Sequence, residues 1–98
     1  MTIEKTNEGK KLKLAVIGRL DTTTAPELEA ELKRSLGDQE ELIFDFSKLE
    51  YISSAGLRVL LAAQKAMNKQ GKMLIQNVNE SVMEIFEITG FTNILTIA

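Results

Sequence analysis

The stretch Tyr51–Leu61, YISSAGLRVLL, sets two adjacent serines, an alanine and a glycine between a strand-like run and an apolar, helix-like run. A serine hydroxyl at such a seam can act as a nucleophile, cap a helix, or accept a phosphoryl group. Nucleophilic attack needs a base, and the chain contains no histidine and no cysteine. That removes the Ser-His-Asp arrangement, thiolate chemistry and the commonest metal ligands, so no catalytic role, metal or cofactor is expected. Capping suits Ser53 or Ser54, because the first N–H groups of a helix lack intrahelical partners. Phosphorylation also suits the place. A phosphate at a helix N-terminus meets free N–H groups and the positive end of the dipole, so it adds charge of about -2 and bulk without melting the helix. Gly56 falls in the first turn, and glycine costs roughly 1 kcal/mol against alanine inside a helix. Close approach of another backbone is the expected reason for it.

Composition is that of an ordinary globular domain. The chain has 98 residues, 44% of them hydrophobic and 27% charged, with 12 basic and 14 acidic residues and a formal net charge of -2. This length predicts one domain over residues 1–98 with one modest core. The slight acidic excess speaks against nucleic-acid binding. The start, MTIEKTNEGKKLK, lacks the apolar core of a signal peptide, and no apolar run approaches the length of a membrane span, so a cytoplasmic location is expected.

The elements that must position these serines follow from periodicity and punctuation. Residues 2–6 are expected as a short edge strand and Asn7–Gly9 as a turn. In KLKLAVIG, Leu12, Leu14 and Val16 alternate with Lys11 and Lys13, which predicts a half-buried strand paired in a hairpin with the first. LDTTTAPELEAELKRSLG predicts a helix capped by Thr24 with Glu27 as its capping-box partner and Pro26 in the first turn. Leu28, Leu32 and Leu36 line one face of it, Glu29 and Lys33 make an i,i+4 pair, and Gly37 closes it. ELIFDF is nearly continuous apolar sequence, as in a central strand covered on both faces. A helix is expected from Ser54 to Asn68, burying Leu57, Leu60, Leu61 and Met67 and ending at Gly71. KMLIQNV predicts a strand, and NESVMEIFEITG a helix capped by Asn79 and stopped at Gly90, with Val82, Ile85 and Phe86 inward. NILTI predicts a last strand. The order β-β-α-β-α-β-α-β implies a small mixed α/β sheet, mainly parallel, with an antiparallel edge hairpin.

In such a sheet the strand-to-helix loops share the edge where ligands and partners gather. Two loops lie there, Asp21–Thr24 and Tyr51–Gly56, and they are expected as neighbours. Asp21 is a helix-leading acid or a contact for a partner. Thr22 and Thr23 offer further hydroxyls. Arg58, four residues after Ser54, shares its helix face. Met67 and Met73 are expected as core, Met83 nearer the surface, and Lys65, Lys69 and Lys72 as a solvated helix end.

The run from Leu42 to Ile97 resembles the STAS domain of bacterial anti-sigma factor antagonists. Its most specific part is Asp45-Phe46-Ser47-x-Leu49-x-Tyr51-Ile52-Ser53-Ser54-Ala55-Gly56-Leu57; Gly18–Leu32 and Gly90–Leu95 agree with it, so the likeness spans essentially the whole chain. The resemblance implies the STAS fold and a regulator that binds an anti-sigma factor, itself a serine kinase of the histidine-kinase-like ATPase type. Binding frees the sigma factor. The kinase phosphorylates one serine, the antagonist lets go, and a metal-dependent serine phosphatase reverses the mark. By the same resemblance the phosphoacceptor is Ser54. With the two neighbouring loops, the expected partner-binding set is Asp21, Thr22, Thr23, Ser53, Ser54, Ala55, Gly56 and Arg58. Ser53 stands where the best-known members carry aspartate, which makes it a second candidate acceptor and removes a negative charge. A monomer or weak dimer is expected, with no nucleic acid and no membrane. The alternative is a STAS module that senses an anion or nucleotide, or scaffolds a signalling assembly, without phosphorylation.

Overall fold

The computed structural model describes residues 1–98. Strand β1 (Thr2–Glu8) and strand β2 (Lys11–Leu20) form the antiparallel hairpin, in register from Thr2 opposite Ile17 to Glu8 opposite Lys11. The turn therefore lies at Gly9 and Lys10, and Asn7 and Glu8 belong to the strand. Leu12, Leu14 and Val16 are buried in the core, as their alternation predicts. Lys11, Lys13 and Ala15 line a shallow, mostly charged concavity on the opposite face with Glu4, Thr6 and Glu8.

Helix α1 (Ala25–Ser35) follows, then β3 (Glu41–Asp45), β4 (Leu49–Ile52), helix α2 (Ser54–Gln70), β5 (Lys72–Gln76), helix α3 (Glu80–Thr89) and a 3-10 turn at Phe91–Asn93. β2 is the hinge of the sheet. Its first half pairs in parallel with β3, and its second half pairs in parallel with β4. β3 pairs in parallel with β5 on its other side. Leu42, Ile43 and Phe44 are all buried, as expected of a central strand. Ile43 sits in register between Lys13 and Leu74 on the polar face.

Two departures from the expected order have physical causes. β4 is a strand where the sequence pattern indicates only a loop before α2. Its burial pattern, Leu49 and Ile52 inside with Glu50 and Tyr51 outside, does not alternate. It is held by pairing with β2 and by an Asn79 side chain that donates to the Leu49 carbonyl at 2.6 Å. The last predicted strand, NILTI, is reduced to one parallel bridge between Ile75 and Ile97, because the 3-10 turn uses Phe91–Asn93. Leu95 still enters the core.

The helices behave largely as predicted. α1 buries Leu28 and Leu32 and half-buries Leu36, and its Glu29 and Lys33 pair at 3.8 Å. α2 buries Leu57, Leu60, Ala63 and Met67; Leu61 is only partly covered, and Val59 is buried in its place. α3 is capped by Asn79, whose side chain accepts from the Val82 N–H at 2.9 Å, and it ends on Gly90 at φ +79°. Val82 and Phe86 are buried, while Ile85 and Met83 are half-buried against the core. The cap of α1 differs from the prediction. Thr24 already has helical backbone angles and makes no side-chain cap bond.

Candidate functional site

The ends of β2 and β4 lie side by side, so the loops that follow them meet. The Ser53 N–H donates to the Leu20 carbonyl at 2.9 Å, which ties the start of α2 to the residue before Asp21. This parallel pairing brings Asp21, Thr22 and Thr23 to the edge that carries Ser53, Ser54, Ala55 and Gly56.

The first loop is organised by Asp21. Its Oδ1 accepts from the Thr23 N–H at 3.0 Å, the Thr24 N–H at 3.1 Å and the Thr23 hydroxyl at 2.8 Å. Asp21 caps the turn that leads into α1: its carboxylate takes the Thr23 and Thr24 N–H groups, its carbonyl accepts from the Ala25 N–H at 2.8 Å, and Thr24 itself already has helical angles. Thr24 instead donates to the Arg19 carbonyl at 2.9 Å and accepts from the Asp21 N–H at 2.8 Å. The Thr23 hydroxyl bond and these N–H donors hold the Asp21 carboxyl below its ordinary pKa. A folded pKa lowered in this way contributes stability that is complete above the unfolded value, near 3.9, and is lost as pH falls through the folded value. An NMR titration should find the Asp21 carboxyl below the usual carboxylate range, and Thr23→Val should move it upward; an unchanged midpoint would show that the hydroxyl bond does not set it.

The two serines of the second loop divide the roles that the sequence leaves open to both. Ser53 is the N-cap of α2, with extended backbone angles and a side-chain oxygen that accepts from the Gly56 N–H at 3.4 Å. Ser54 is the first residue of the helix, is exposed, and its hydroxyl has no hydrogen-bond partner in the chain. Ala55 is half-buried, and Arg58 is exposed on the turn above Ser54.

Gly56 is needed for close packing, but against side chains rather than the backbone expected from the sequence. A Cβ at this position would lie 2.8 Å from Ile52 Cγ1, 2.8 Å from Leu20 Cγ and 3.1 Å from Leu20 Cδ2. Leu20 and Ile52 are themselves almost fully buried, so neither can yield. Gly56→Ala gains about 1 kcal/mol of helix propensity and loses roughly 1–3 kcal/mol to overpacking. The expected result is a net loss of about 1 kcal/mol by chemical denaturation, with the Ser54 amide resonance displaced; stabilisation would refute the packing argument.

Arg19 and Tyr51 adjoin this edge and were missed by reasoning from sequence. They are register partners on β2 and β4. The Arg19 guanidinium lies 4.5 Å from the centre of the Tyr51 ring, and its Nε is 3.8 Å from Asp21 Oδ2. An aromatic residue three before the Ser54 position and an arginine two before Asp21 were visible signals, but their pairing depends on β4.

Further along the sheet, Asp45 accepts from the Asn77 side chain at 3.0 Å and from the Ser47 N–H at 3.0 Å. These bonds, the one from Asn77 foremost, hold its carboxyl below the ordinary value. They join the exits of β3 and β5. No group of three or more acidic residues is arranged to hold a metal ion, and no helix is long and apolar enough to cross a membrane.

The sequence profile of the STAS domain matches residues 2–98. The chain belongs to the STAS domain family. Among its relatives is BtrV of Bordetella bronchiseptica, named as a candidate anti-sigma factor antagonist; it is 39% identical over 83 residues, covering 83% of this chain and 72% of BtrV. The anti-sigma-B factor antagonist of Staphylococcus aureus is 32% identical over 97 residues, covering 97% of this chain and 90% of its own. Solved STAS structures share the fold. An anti-sigma factor antagonist from Mycobacterium paratuberculosis superposes with a TM-score of 0.88 at 22% identity, covering 98% of this chain and 83% of its own. The Bacillus cell fate determinant SpoIIAA in its phosphorylated form superposes with a TM-score of 0.77 at 16% identity, covering 99% and 91%. These relatives bear the names of regulators rather than of enzymes.

Proposed function

We propose that this STAS domain is a phospho-switched anti-sigma factor antagonist. In its unphosphorylated form the edge formed by Asp21, Thr22, Thr23, Ser53, Ser54, Ala55, Gly56 and Arg58 binds an anti-sigma factor that is also a serine kinase, and the sigma factor is released. Phosphorylation of Ser54 ends the interaction, and a serine phosphatase restores it. A cytoplasmic setting follows from that role.

One observation carries this proposal: of two adjacent serines, Ser53 caps the helix and Ser54 leaves an exposed, unbonded hydroxyl at its first position. In the transfer, Ser54 Oγ bonds to the γ-phosphorus of ATP, ADP departs, and the hydroxyl proton passes to a base. The chain has no histidine, and the Asp21 carboxylate on this edge is engaged by Thr23 and Thr24, so the base is assigned to the kinase. The phosphate produced sits at the N-terminus of α2, where the helix dipole and free N–H groups favour it. Arg58, one turn on, is then within reach of a charge-assisted bond that removes it from any partner. The names of the Staphylococcus and Bordetella relatives support the antagonist role, and SpoIIAA is known in a phosphorylated form.

The test is direct. Incubation with ATP and each kinase-type anti-sigma factor of the same genome should add one phosphate by intact mass, mapped to Ser54, and Ser54→Ala should take up none. A phosphate mapped to Ser53, Thr22 or Thr23 would reassign the acceptor, and none on any residue would refute the switch.

A further inference from the structure

We infer that the groove between α1 and α2, with the basic ridge beside it, seats an amphipathic helix of the partner whose polar flank is acidic. This rests on the antagonist function proposed above and extends its docking edge down the length of α2.

The ridge comes first. α2 carries Arg58, Lys65 and Lys69 and no acidic residue. On a helix of 3.6 residues per turn, Ser54, Arg58, Lys65 and Lys69 fall in one narrow stripe. All four are exposed, and none of the three cations forms an ion pair within the chain. Lys69 is favoured by the C-terminal end of the dipole, but Lys65 lies outside the last turn and Arg58 lies near the positive end, so neither gains from it. The phosphorylatable hydroxyl thus heads a line of three unneutralised cations in a chain whose net charge is -2.

The groove runs alongside. Leu32 of α1 and Leu36, just past its end, face Val59, Ala62 and Ala66 of α2 across a cleft of about 330 Å³. The alanines are too short to fill it. A smaller hollow of about 160 Å³, lined by Thr22, Pro26 and Ala55 among others, continues it toward Ser54. Glu29 and Val59 line both hollows, so the two form one lane. From Ala55 to Ala66 the lane follows about 16 Å of helix, enough for about three turns of a partner helix. Its α1 rim is neutral, because Glu29 and Lys33 pair with each other. Its α2 rim is cationic. An apolar helix edge in the lane, with acidic residues turned toward α2, satisfies both. An acidic lipid surface is a poorer match: a concave lane between ridges offers no protruding apolar side chains to enter a bilayer.

The experiment measures affinity of the full chain for each purified kinase-type anti-sigma factor of the same genome, and for vesicles of anionic phospholipid. Four forms are compared: unsubstituted, Ser54→Asp, the double variant Lys65→Glu with Lys69→Glu, and Ala66→Arg. Charge reversal at two rim sites should weaken protein binding by roughly tenfold or more and reduce its salt dependence. Ala66→Arg, which fills the lane, should weaken it at least as much, with melting temperatures of both variants within a few degrees of the parent. Anti-sigma binding unchanged in both variants, with Ser54→Asp defective, overturns the lane and leaves the switch standing. Loss in both variants with Ser54→Asp unaffected overturns the switch and supports the lane. Vesicle binding that vanishes on charge reversal identifies a membrane site and overturns the helix, as does a failure of the unsubstituted chain to bind any anti-sigma factor, which refutes the antagonist function as well.

Discussion

Ser54→Asp is expected to weaken binding to a kinase-type anti-sigma factor by roughly 100-fold, about 2.7 kcal/mol, while Ser54→Ala binds as the unsubstituted chain does. The asymmetry follows from position. Ser54 is the first residue of α2 and uses its hydroxyl for nothing within the fold. Removing the hydroxyl therefore leaves Ser53 to cap the helix and costs the fold little. A carboxylate at the same point is welcome to the helix, where an acidic group in the first turn contributes about 0.3–1 kcal/mol. The melting temperature of Ser54→Asp should equal or slightly exceed that of the parent. Any loss of affinity then reports the surface and not unfolding. The cause of the loss is a negative charge placed where a partner docks, and mismatched charge at an interface costs several kcal/mol. Calorimetric titration and thermal denaturation of the same samples separate the two effects. Equal affinity of the alanine and aspartate forms would refute the switch.

Gly71→Ala is expected to be the most destabilising single-methyl addition in the chain, by about 3 kcal/mol or more, or roughly 12–24 °C in melting temperature. Gly71 ends α2 and passes under the segment that enters β3. A Cβ there would lie 1.8 Å from the Glu40 carbonyl oxygen, 2.6 Å from its carbon and 2.9 Å from Glu40 Cα. These are backbone atoms that cannot rotate away. The Glu40 carbonyl also accepts from the Lys72 N–H at 3.1 Å, and the Glu40 N–H donates to the Lys10 carbonyl at 2.8 Å. Moving Glu40 therefore disturbs the turn before β2, the start of β3 and the start of β5 together. That end of the sheet is opposite to Ser54, so the folded fraction of Gly71→Ala should still accept phosphate at low temperature. A fall of less than about 4 °C would mean that the contact relaxes at little cost.

Several parts of this fold were legible because they are local. The alternation of Leu12, Leu14 and Val16 against lysines marks a half-buried strand wherever it lies in a sheet. Asn79 three residues before Val82, and Gly71 and Gly90 after apolar helices, describe helix ends through bonds that span only a few residues. The separation of Ser53 from Ser54 was half legible. Either could cap, and only the extended backbone of Ser53 assigns the cap to it. Thr24 misled because Thr-x-x-Glu is a sound capping pattern, but Asp21 accepts from the Thr23 and Thr24 N–H groups one turn earlier, and the Glu27 N–H bonds the Thr24 carbonyl instead of its side chain. Lys65 and Lys69 were legible as a solvated helix end and nothing more. Their meaning as a ridge depends on the lane beside them.

The sequence by itself therefore determined the helices, the hairpin, the absence of catalytic histidine and cysteine, and the small-residue seam at Ser53–Gly56. Each rests on residue chemistry or on spacing within one element, which the chain expresses before it folds. Tertiary structure alone decided that β2 serves two partners in succession, that Leu20 and Ile52 close over Gly56, and that Asp21 and Ser54 share an edge. It also decided that α1 leaves Ala62 exposed and Ala66 half-exposed beside three free cations. These contacts join residues some 30 positions apart, such as Leu20 and Ser53. Periodicity reports which face of an element is apolar, but not which other element comes to cover it.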